Sequence, residues 1–144
     1  SDVYKRQKKD PGFLKGRRIM LVEDNELNRE IAYELLSESG LIVDVAENGQ
    51  EAIKLLGIRP ENYYELIFMD IQMPVMNGYE ATANIRAGKS DYWKNIPVIA
   101  MTANVFQEDE SRAAECGMSD YVTKPIDMNV IYSVLEKWLR GQKG

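Results

Sequence analysis

From Arg17 onward, short apolar runs alternate with segments of helical periodicity, and this alternation is the feature that most restricts the fold. Strands that are separated by helices need crossover connections, so the strands run parallel and the helices cover both faces of the sheet. The five predicted strands span residues 18–22, 41–46, 66–70, 97–101 and 121–123. The sequence therefore predicts an α/β domain with a five-stranded parallel sheet and five helices.

The predicted helices are marked by capping residues and by apolar stripes. Asn48 and Asn77 are each followed three residues later by Glu, and this capping box predicts a helix start at both positions. Asn104, with Gln107 three residues on, and Asp127 are expected to cap the fourth and last helices. The stripes comprise Leu27, Ile31, Leu35 and Leu36 in the first helix, which ends at Gly40, and Ile131, Val134, Leu135 and Trp138 in the last.

Length and composition set the size of the domain. A chain of 144 residues, 44% hydrophobic and 28% charged, is typical of one globular domain with a single core. Residues 1–16 cluster Lys and Arg ahead of a Pro-Gly pair and show no sustained periodicity. They predict a flexible linker or tail before a domain over residues 17–141, with residues 142–144 as a second tail.

Charge and residue usage exclude several functions. The net charge of −5 argues against nucleic acid as a direct partner, since phosphate binding needs a basic surface. Cys116 is the only cysteine, and neither a membrane span nor a signal peptide is visible, which predicts a cytoplasmic domain without membrane contact. The chain has no histidine, which excludes catalytic triads, histidine-ligated zinc and histidine phosphorylation within it.

Polar side chains follow four of the predicted strands at their carboxyl ends. Glu23 and Asp24 follow the first strand, and Asp70 ends the third. Thr102 follows the fourth strand and Lys124 the fifth. Each residue alone is commonly a helix cap, a packing residue or a solvated group. In open parallel sheets, however, ligands bind beyond the carboxyl ends of the strands, so together they predict one site.

The three acids call for a cation. Carboxylates about 5 Å apart at an effective dielectric constant near 20 repel by roughly 3 kcal/mol per pair. Oxygen ligands without histidine or thiolate suit Mg²⁺. A hard cation beside a carboxylate, an ammonium and a hydroxyl is suited to phosphoryl transfer. Asp70 is then the candidate nucleophile, because it stands alone on its strand before a loop shaped by Pro74 and Gly78.

Four motifs resemble the receiver domains of two-component response regulators, in particular those of hybrid sensor histidine kinases. The motifs are LVEDNELNRE, FMDIQMPVMNGYEAT, IAMTAN and YVTKPID, and the resemblance covers about residues 17 to 140. It implies a flavodoxin-like, doubly wound sheet with strand order 2-1-3-4-5. It also implies Mg²⁺-dependent transfer of a phosphoryl group from a histidine kinase or histidine phosphotransfer domain. Such a domain is a signalling module that catalyses only its own phosphorylation and slow autodephosphorylation.

The resemblance implies a role for each residue that faces the phosphoryl group. Asp70 is the phosphoacceptor, Thr102 contacts the phosphoryl group and Lys124 pairs with it. The peptide bond between Lys124 and Pro125 is expected to be cis. Tyr121 is the aromatic residue that changes rotamer together with Thr102, which switches the face made by the fourth helix, the fifth strand and the last helix.

The resemblance also implies the metal ligands and the residues that tune hydrolysis. Asp24 and Asp70 bind Mg²⁺, Glu23 helps through water, and the main-chain carbonyl of Gln72 is a further ligand. Gln72 and Asn104 flank the path of the hydrolytic water.

Three other classes of protein share part of this pattern. A phosphatase of the haloacid dehalogenase type needs a second Asp two residues after the nucleophile, where this chain has Gln72. A nucleotide-binding module of flavodoxin or Rossmann type needs glycines in the first turn, which here is EDNELN. A phosphorylation-independent interaction domain would not be expected to keep Asp70, Thr102 and Lys124. The motifs favour a piece of a hybrid kinase over a stand-alone regulator.

Overall fold

The computed structural model describes residues 12–103 and 110–140, and its centre is a parallel five-stranded sheet in the order β2-β1-β3-β4-β5. The strands are β1 (Arg18–Val22), β2 (Ile42–Ala46), β3 (Leu66–Asp70), β4 (Val98–Thr102) and β5 (Asp120–Thr123). The helices of the described ranges are α1 (Glu26–Glu38), α2 (Gly49–Ile58), α3 (Gly78–Arg86), α4 (Asp91–Asn95), α5 (Glu110–Cys116) and α6 (Met128–Leu139). The predicted doubly wound fold is confirmed. None of these helices has the length and apolar character that crossing a membrane requires.

The strand order brings the carboxyl ends of β1 and β3 together. The chain passes from β1 outward to β2 and then returns to β3 on the other side of β1, so the order reverses between β1 and β3. In the register of this pair, Val22 lies beside Met69. The residues that follow, Glu23 and Asp70, are therefore neighbours at the edge of the sheet.

Each face of the sheet has its own apolar core. One core joins the sheet to α1 and α6 through residues such as Leu36, Phe68 and Leu135. The other joins it to the helices of the opposite face through Leu56, Met69 and Ile85. The whole of β3 is buried between the two layers. Asp70 therefore lies at the end of a strand that is buried on both faces, which holds its main chain in a fixed position.

The apolar stripe predicted for the first helix is rotated in the structure. Leu27 and Ile31 are 64% and 50% exposed, whereas Ala32 and Leu36 are buried. The predicted stripe therefore does not coincide with the buried face of the helix. By its spacing Arg29 shares the face of Ala32 and Leu36, and its guanidinium donates to the Glu23 carbonyl in the β1–α1 loop.

Two other helix predictions need correction. The sequence predicts five helices and a polar loop between residue 87 and the fourth strand, but this segment contains α4, whose N-cap is Ser90. At the start of α2, Asn48 accepts a hydrogen bond from the Glu51 N–H, but the Glu51 carboxylate binds the N–H of residue 47 rather than that of Asn48. The capping box at Asn77 is complete. The predicted cap at Asn104 lies outside the described residues.

Two apolar residues just before residue 17 pack against the domain. Leu14 is 3% exposed and belongs to the core beneath α1 and α6. The Phe13 ring contacts two guanidinium groups, 4.6 Å from that of Arg17 and 4.2 Å from that of Arg140. The domain boundary at residue 17 stays a prediction.

Candidate functional site

Three carboxylates meet where β1 and β3 end. Glu23 and Asp70 are both 3% exposed, while Asp24 faces solvent. One oxygen from each can be chosen so that all three lie within 4.8 Å of one another. The parallel register of β1 and β3 produces this proximity, because it carries the two strands to the same edge.

Lys124 joins two of these acids. Its Nζ lies 2.9 Å from Glu23 Oε1 and 3.2 Å from Asp70 Oδ2. The residue follows β5, and its main-chain N–H donates to the carbonyl of Thr102 on the neighbouring strand. The peptide bond between Lys124 and Pro125 is cis. The ammonium is thus fixed between the carboxylate ends of β1 and β3.

The electrostatic state of Asp70 differs from that of an ordinary carboxyl group. Burial and, next, the nearby Glu23 carboxylate raise its pKa to about 7, because the Lys124 ammonium opposes both effects only in part. Burial acts to lower the pKa of Lys124, but its hydrogen bonds and charge contacts with Glu23 and Asp70 raise it. The cluster therefore holds more negative charge than one ammonium offsets, which favours a further cation.

The site opens into a cleft of about 190 Å³. Its walls include all three acids, Lys124, and the polar residues Asn25, Asn28, Gln72 and Thr102, with the small Ala103 at one side. Two of the acids accept hydrogen bonds from main-chain N–H groups: Asn25 N–H donates to Glu23 Oε2, and Gln72 N–H donates to Asp70 Oδ1. The cleft can admit a group the size of a phosphoryl and leaves one side of Asp70 accessible.

Thr102 and Tyr121 lie on neighbouring strands and on the same face of the sheet. Tyr121 pairs with Ala100 and Thr102 with Thr123, so Thr102 and Tyr121 are diagonal neighbours. Thr102 is buried at the cleft, whereas Tyr121 is 44% exposed. Asn104, the second residue predicted to tune hydrolysis, lies outside the described residues.

Arg29 is a residue near the site that the sequence motifs do not predict. Its guanidinium donates to the main-chain carbonyls of Glu23 at 2.9 Å and Asp24 at 3.4 Å, and lies 3.9 Å from the Glu47 carboxylate. It thereby ties the β1–α1 loop to the loop after β2. An arginine in the first helix after an acidic pair is the sequence signal that could have identified it.

The sequence predicts only that Gly78 shapes the loop after Asp70, but this glycine also fixes the backbone of Asp70. Its N–H donates to the carbonyl of Ile71 at 2.8 Å. A Cβ atom at this position would overlap the carbonyl oxygen of Asp70 and lie 2.9 Å from the Ile71 Cα. The start of α3 can therefore close against the end of β3 only with glycine here.

Comparison with known proteins gives one consistent result. The sequence profile of the response regulator receiver domain matches residues 19–136. Histidine kinase 3 of Arabidopsis thaliana is 36% identical over 147 residues, an alignment that includes 90% of this chain. The chain spans only 14% of the length of that kinase.

Two solved structures share the fold. The receiver domain of a sensor histidine kinase from Pseudomonas aeruginosa, crystallised with a magnesium ion in its active site cleft, has a TM-score of 0.76 and 34% identity, covering 85% of this chain and 97% of its own. A co-crystal structure from Saccharomyces cerevisiae also has a TM-score of 0.76, with 30% identity and coverage of 90% and 92%. It contains the histidine phosphotransfer protein Ypd1 and the receiver domain of its response regulator Ssk1.

Proposed function

The chain belongs to the response regulator receiver domain family of two-component phosphorelays, and we propose that Asp70 is its phosphoryl acceptor. One observation supports this assignment above the others. The Asp70 carboxylate is buried at the end of β3, is paired with Lys124 at 3.2 Å, and faces an open cleft that holds two further acids. A nucleophile needs such a fixed mount together with one accessible side.

The proposed chemical step is the transfer of a phosphoryl group to Asp70. An Asp70 carboxylate oxygen attacks phosphorus, a P–O bond forms, and the P–N bond of a partner's phosphohistidine breaks. The electron pair of that bond goes to the imidazole nitrogen, which takes up a proton. Lys124 offsets negative charge on the transferred group, and the Thr102 hydroxyl donates to one of its oxygens. The product is an acyl phosphate on Asp70.

We further propose that Glu23, Asp24, Asp70 and the main-chain carbonyl of Gln72 provide the Mg²⁺ site. The donor set consists only of oxygen atoms, which is what Mg²⁺ prefers, and the three acids lie within 4.8 Å of one another. The Pseudomonas aeruginosa receiver domain with magnesium in its cleft supports the same cofactor here. When bound, the ion neutralises charge that develops on the phosphoryl oxygens.

The partner we propose is a histidine kinase or a histidine phosphotransfer domain. The receiver domain of Ssk1 was crystallised with such a protein. Beside the acidic cleft, Ile31, Pro125 and Ile126 line a second, mostly apolar cleft of about 380 Å³. Leu27 and Ile31 leave apolar surface on α1 near the site, which suits docking of a protein.

As a whole, the domain acts as a signalling module. We propose that it catalyses only its own phosphorylation and slow autodephosphorylation, in the cytoplasm and without binding nucleic acid or membrane. The net charge of −5 supports the exclusion of nucleic acid. Gln72 in place of a second Asp argues against phosphatase turnover of other substrates.

The acceptor assignment is tested by labelling with a small donor. With Mg²⁺ and acetyl phosphate, intact-mass analysis should show one acid-stable, base-labile phosphoryl group on the wild-type chain. Asp70→Asn should abolish the labelling. Asp44→Asn is the matched control, because Asp44 is a partly buried strand carboxylate outside the cleft, and it should label normally. Unchanged labelling of Asp70→Asn would exclude Asp70 as the acceptor.

A further inference from the structure

The side chain of Arg29 is largely covered by its neighbours, although it carries a charge. It is 16% exposed, and by its spacing it shares the inward face of α1 with Ala32 and Leu36. Arg29 also lies close to the N-terminal end of α1, where the partial positive charge of a helix disfavours a cation. Covering a charge costs free energy unless polar partners compensate it. The contacts of Arg29 should therefore account for an arginine at this position.

These contacts are mainly with the main chain that carries two of the acids. Nη1 of Arg29 lies 2.9 Å from the carbonyl oxygen of Glu23 and 3.4 Å from that of Asp24. Nη2 lies 3.9 Å from Oε2 of Glu47, whose side chain is 63% exposed, so this ion pair is weak. The guanidinium therefore acts chiefly on the backbone of two residues whose side chains line the cleft.

The three acids differ in how their side chains are held. The carboxylates of Glu23 and Asp70 each accept a main-chain N–H and pair with Lys124. Within the ranges that the structure describes, the Asp24 carboxylate has no hydrogen bond or ion pair with another residue. Its position therefore depends on its own main chain. Arg29 binds the carbonyl oxygens of the two peptide units that flank the Asp24 Cα, so it fixes the direction in which this side chain leaves the backbone.

We propose that Arg29 is a positioning residue for the Mg²⁺ site, which increases affinity for the ion by holding the Asp24 carboxylate toward the cleft. The inference rests on the metal site proposed above. Groups that orient metal ligands in this way typically contribute about 10- to 100-fold to metal affinity. The charge of Arg29 has the opposite effect, because a cation near the acids repels Mg²⁺. Orientation and charge therefore predict opposite results when the arginine is removed.

Two substitutions separate orientation from charge. Arg29→Met removes both the hydrogen bonds and the charge, whereas Arg29→Lys keeps the charge but not the geometry of the guanidinium. In calorimetric titrations of the folded protein, the dissociation constant for Mg²⁺ should rise about tenfold in Arg29→Met. It should lie between this value and that of wild type in Arg29→Lys. The weaker binding should persist in about 0.5 M KCl, because salt screens the effect of charge but not that of orientation.

A double-mutant cycle tests whether Arg29 acts through Asp24. Asp24→Asn alone should weaken Mg²⁺ binding, and amide chemical shifts can follow the weak binding that remains. Adding Arg29→Met to this variant should raise the dissociation constant by less than about twofold, because the carboxylate that Arg29 orients is already absent. If the two effects multiply in full, Arg29 does not act through Asp24.

Arg59→Met is the matched control for the loss of an arginine. Arg59 pairs with Asp44 at 3.4 Å and follows the last residue of α2. Because α2 runs back from the end of β2, its carboxyl end lies at the edge of the sheet opposite to the cleft. The dissociation constant for Mg²⁺ should therefore stay within about twofold of wild type, since distant surface charges are largely screened.

Three results would overturn the role of Arg29. They are an affinity for Mg²⁺ in Arg29→Met that equals or exceeds that of wild type, full multiplication in the double variant, and an equal loss of affinity in Arg59→Met. A lower melting temperature of Arg29→Met in EDTA with unchanged affinity would show that the arginine serves only the fold. Failure of the wild-type chain to bind Mg²⁺ would contradict the metal site itself, and the inference with it. Weakened binding in Asp24→Asn with normal binding in Arg29→Met would contradict the role of Arg29 alone.

Discussion

Replacing Gly78 with alanine should destabilise the domain, although alanine is the better helix former. Gly78 is the first residue of α3. An alanine Cβ would overlap the carbonyl oxygen of Asp70 and lie 2.9 Å from the Ile71 Cα and 3.1 Å from the Asp70 carbonyl carbon. All three are backbone atoms, so no side chain can rotate out of the way. Either α3 or the end of β3 must move.

The expected size follows from two opposing effects. Alanine gains up to about 1 kcal/mol over glycine inside a helix, and the gain is smaller at the first helical residue. Overpacking against a fixed backbone costs about 1–3 kcal/mol. We therefore expect the free energy of unfolding of Gly78→Ala to fall by about 1–2 kcal/mol. Because the movement also displaces the residues after Asp70, the affinity for Mg²⁺ should decrease.

Gly57→Ala is the matched control within the same fold. Gly57 lies inside α2, and the nearest atom to an added Cβ is Trp93 Cζ2 at 4.0 Å, an ordinary contact distance. This variant should gain about 0.5–1 kcal/mol of stability from helix propensity and from reduced freedom of the unfolded chain. The two glycine-to-alanine changes should therefore have opposite signs.

Urea unfolding followed by circular dichroism measures both variants, and titration with Mg²⁺ measures the site. If Gly78→Ala is as stable as wild type and binds Mg²⁺ equally well, the close approach of α3 to the Asp70 carbonyl does not constrain the domain. If both variants lost stability, the expected stabilisation from replacing glycine with alanine in a helix would be wrong, rather than the expected overlap between the Cβ at residue 78 and the Asp70 carbonyl.

Four further predictions concern the site. In EDTA, Asp24→Asn should melt at a higher temperature than wild type. It should also lose most of the stabilisation by Mg²⁺, which in wild type is about 1.4 kcal/mol when Mg²⁺ is at ten times its dissociation constant. If Mg²⁺ stabilised the variant as much as wild type, Asp24 would not be a metal ligand. Because folding raises the pKa of Asp70 from 3.8 to about 7, the metal-free wild type should lose stability as pH rises through this range. Asp70→Asn in EDTA should therefore melt higher than wild type at pH 8 but not at pH 4, and a pH-independent difference would contradict the buried charge. A bulky apolar residue in place of Gln72 or Asn104 should change the decay rate of the phosphoryl-aspartate more than its rate of formation, as followed by intact mass. Equal effects on both rates would indicate that these side chains control access to the cleft in general. When beryllofluoride is added to Thr102→Ala, the changes in amide chemical shift should be confined to the metal-site loops, whereas in wild type they should extend through Tyr121 to α5. Identical changes at α5 in both proteins would exclude the coupling between Thr102 and Tyr121.

The sheet, and the meeting of polar residues at its carboxyl edge, can be predicted from the sequence for a shared physical reason. Buried parallel strands are continuous apolar runs, and β1 and β3 have the predicted bounds. Once the strands are parallel, their carboxyl ends must share an edge. The strand order that the resemblance implies places β1 beside β3, and the proximity of Glu23 and Asp70 follows from that order.

The predictions that failed depend on contacts between distant segments. In α1 the predicted stripe includes Leu27 and Ile31, which are exposed, whereas Arg29 bonds to the β1–α1 loop. Helix α4 is only five residues long and polar, so periodicity cannot reveal it.

The two guanidinium groups around Phe13 have a consequence for how the unit could be joined to others. Phe13 lies near the beginning of the first described range and Arg140 at the end of α6, yet they are in contact, 4.2 Å from guanidinium carbon to ring centre. The first and last parts of the described domain are therefore adjacent. A domain with this geometry can be inserted into a longer polypeptide without separating the segments that flank it.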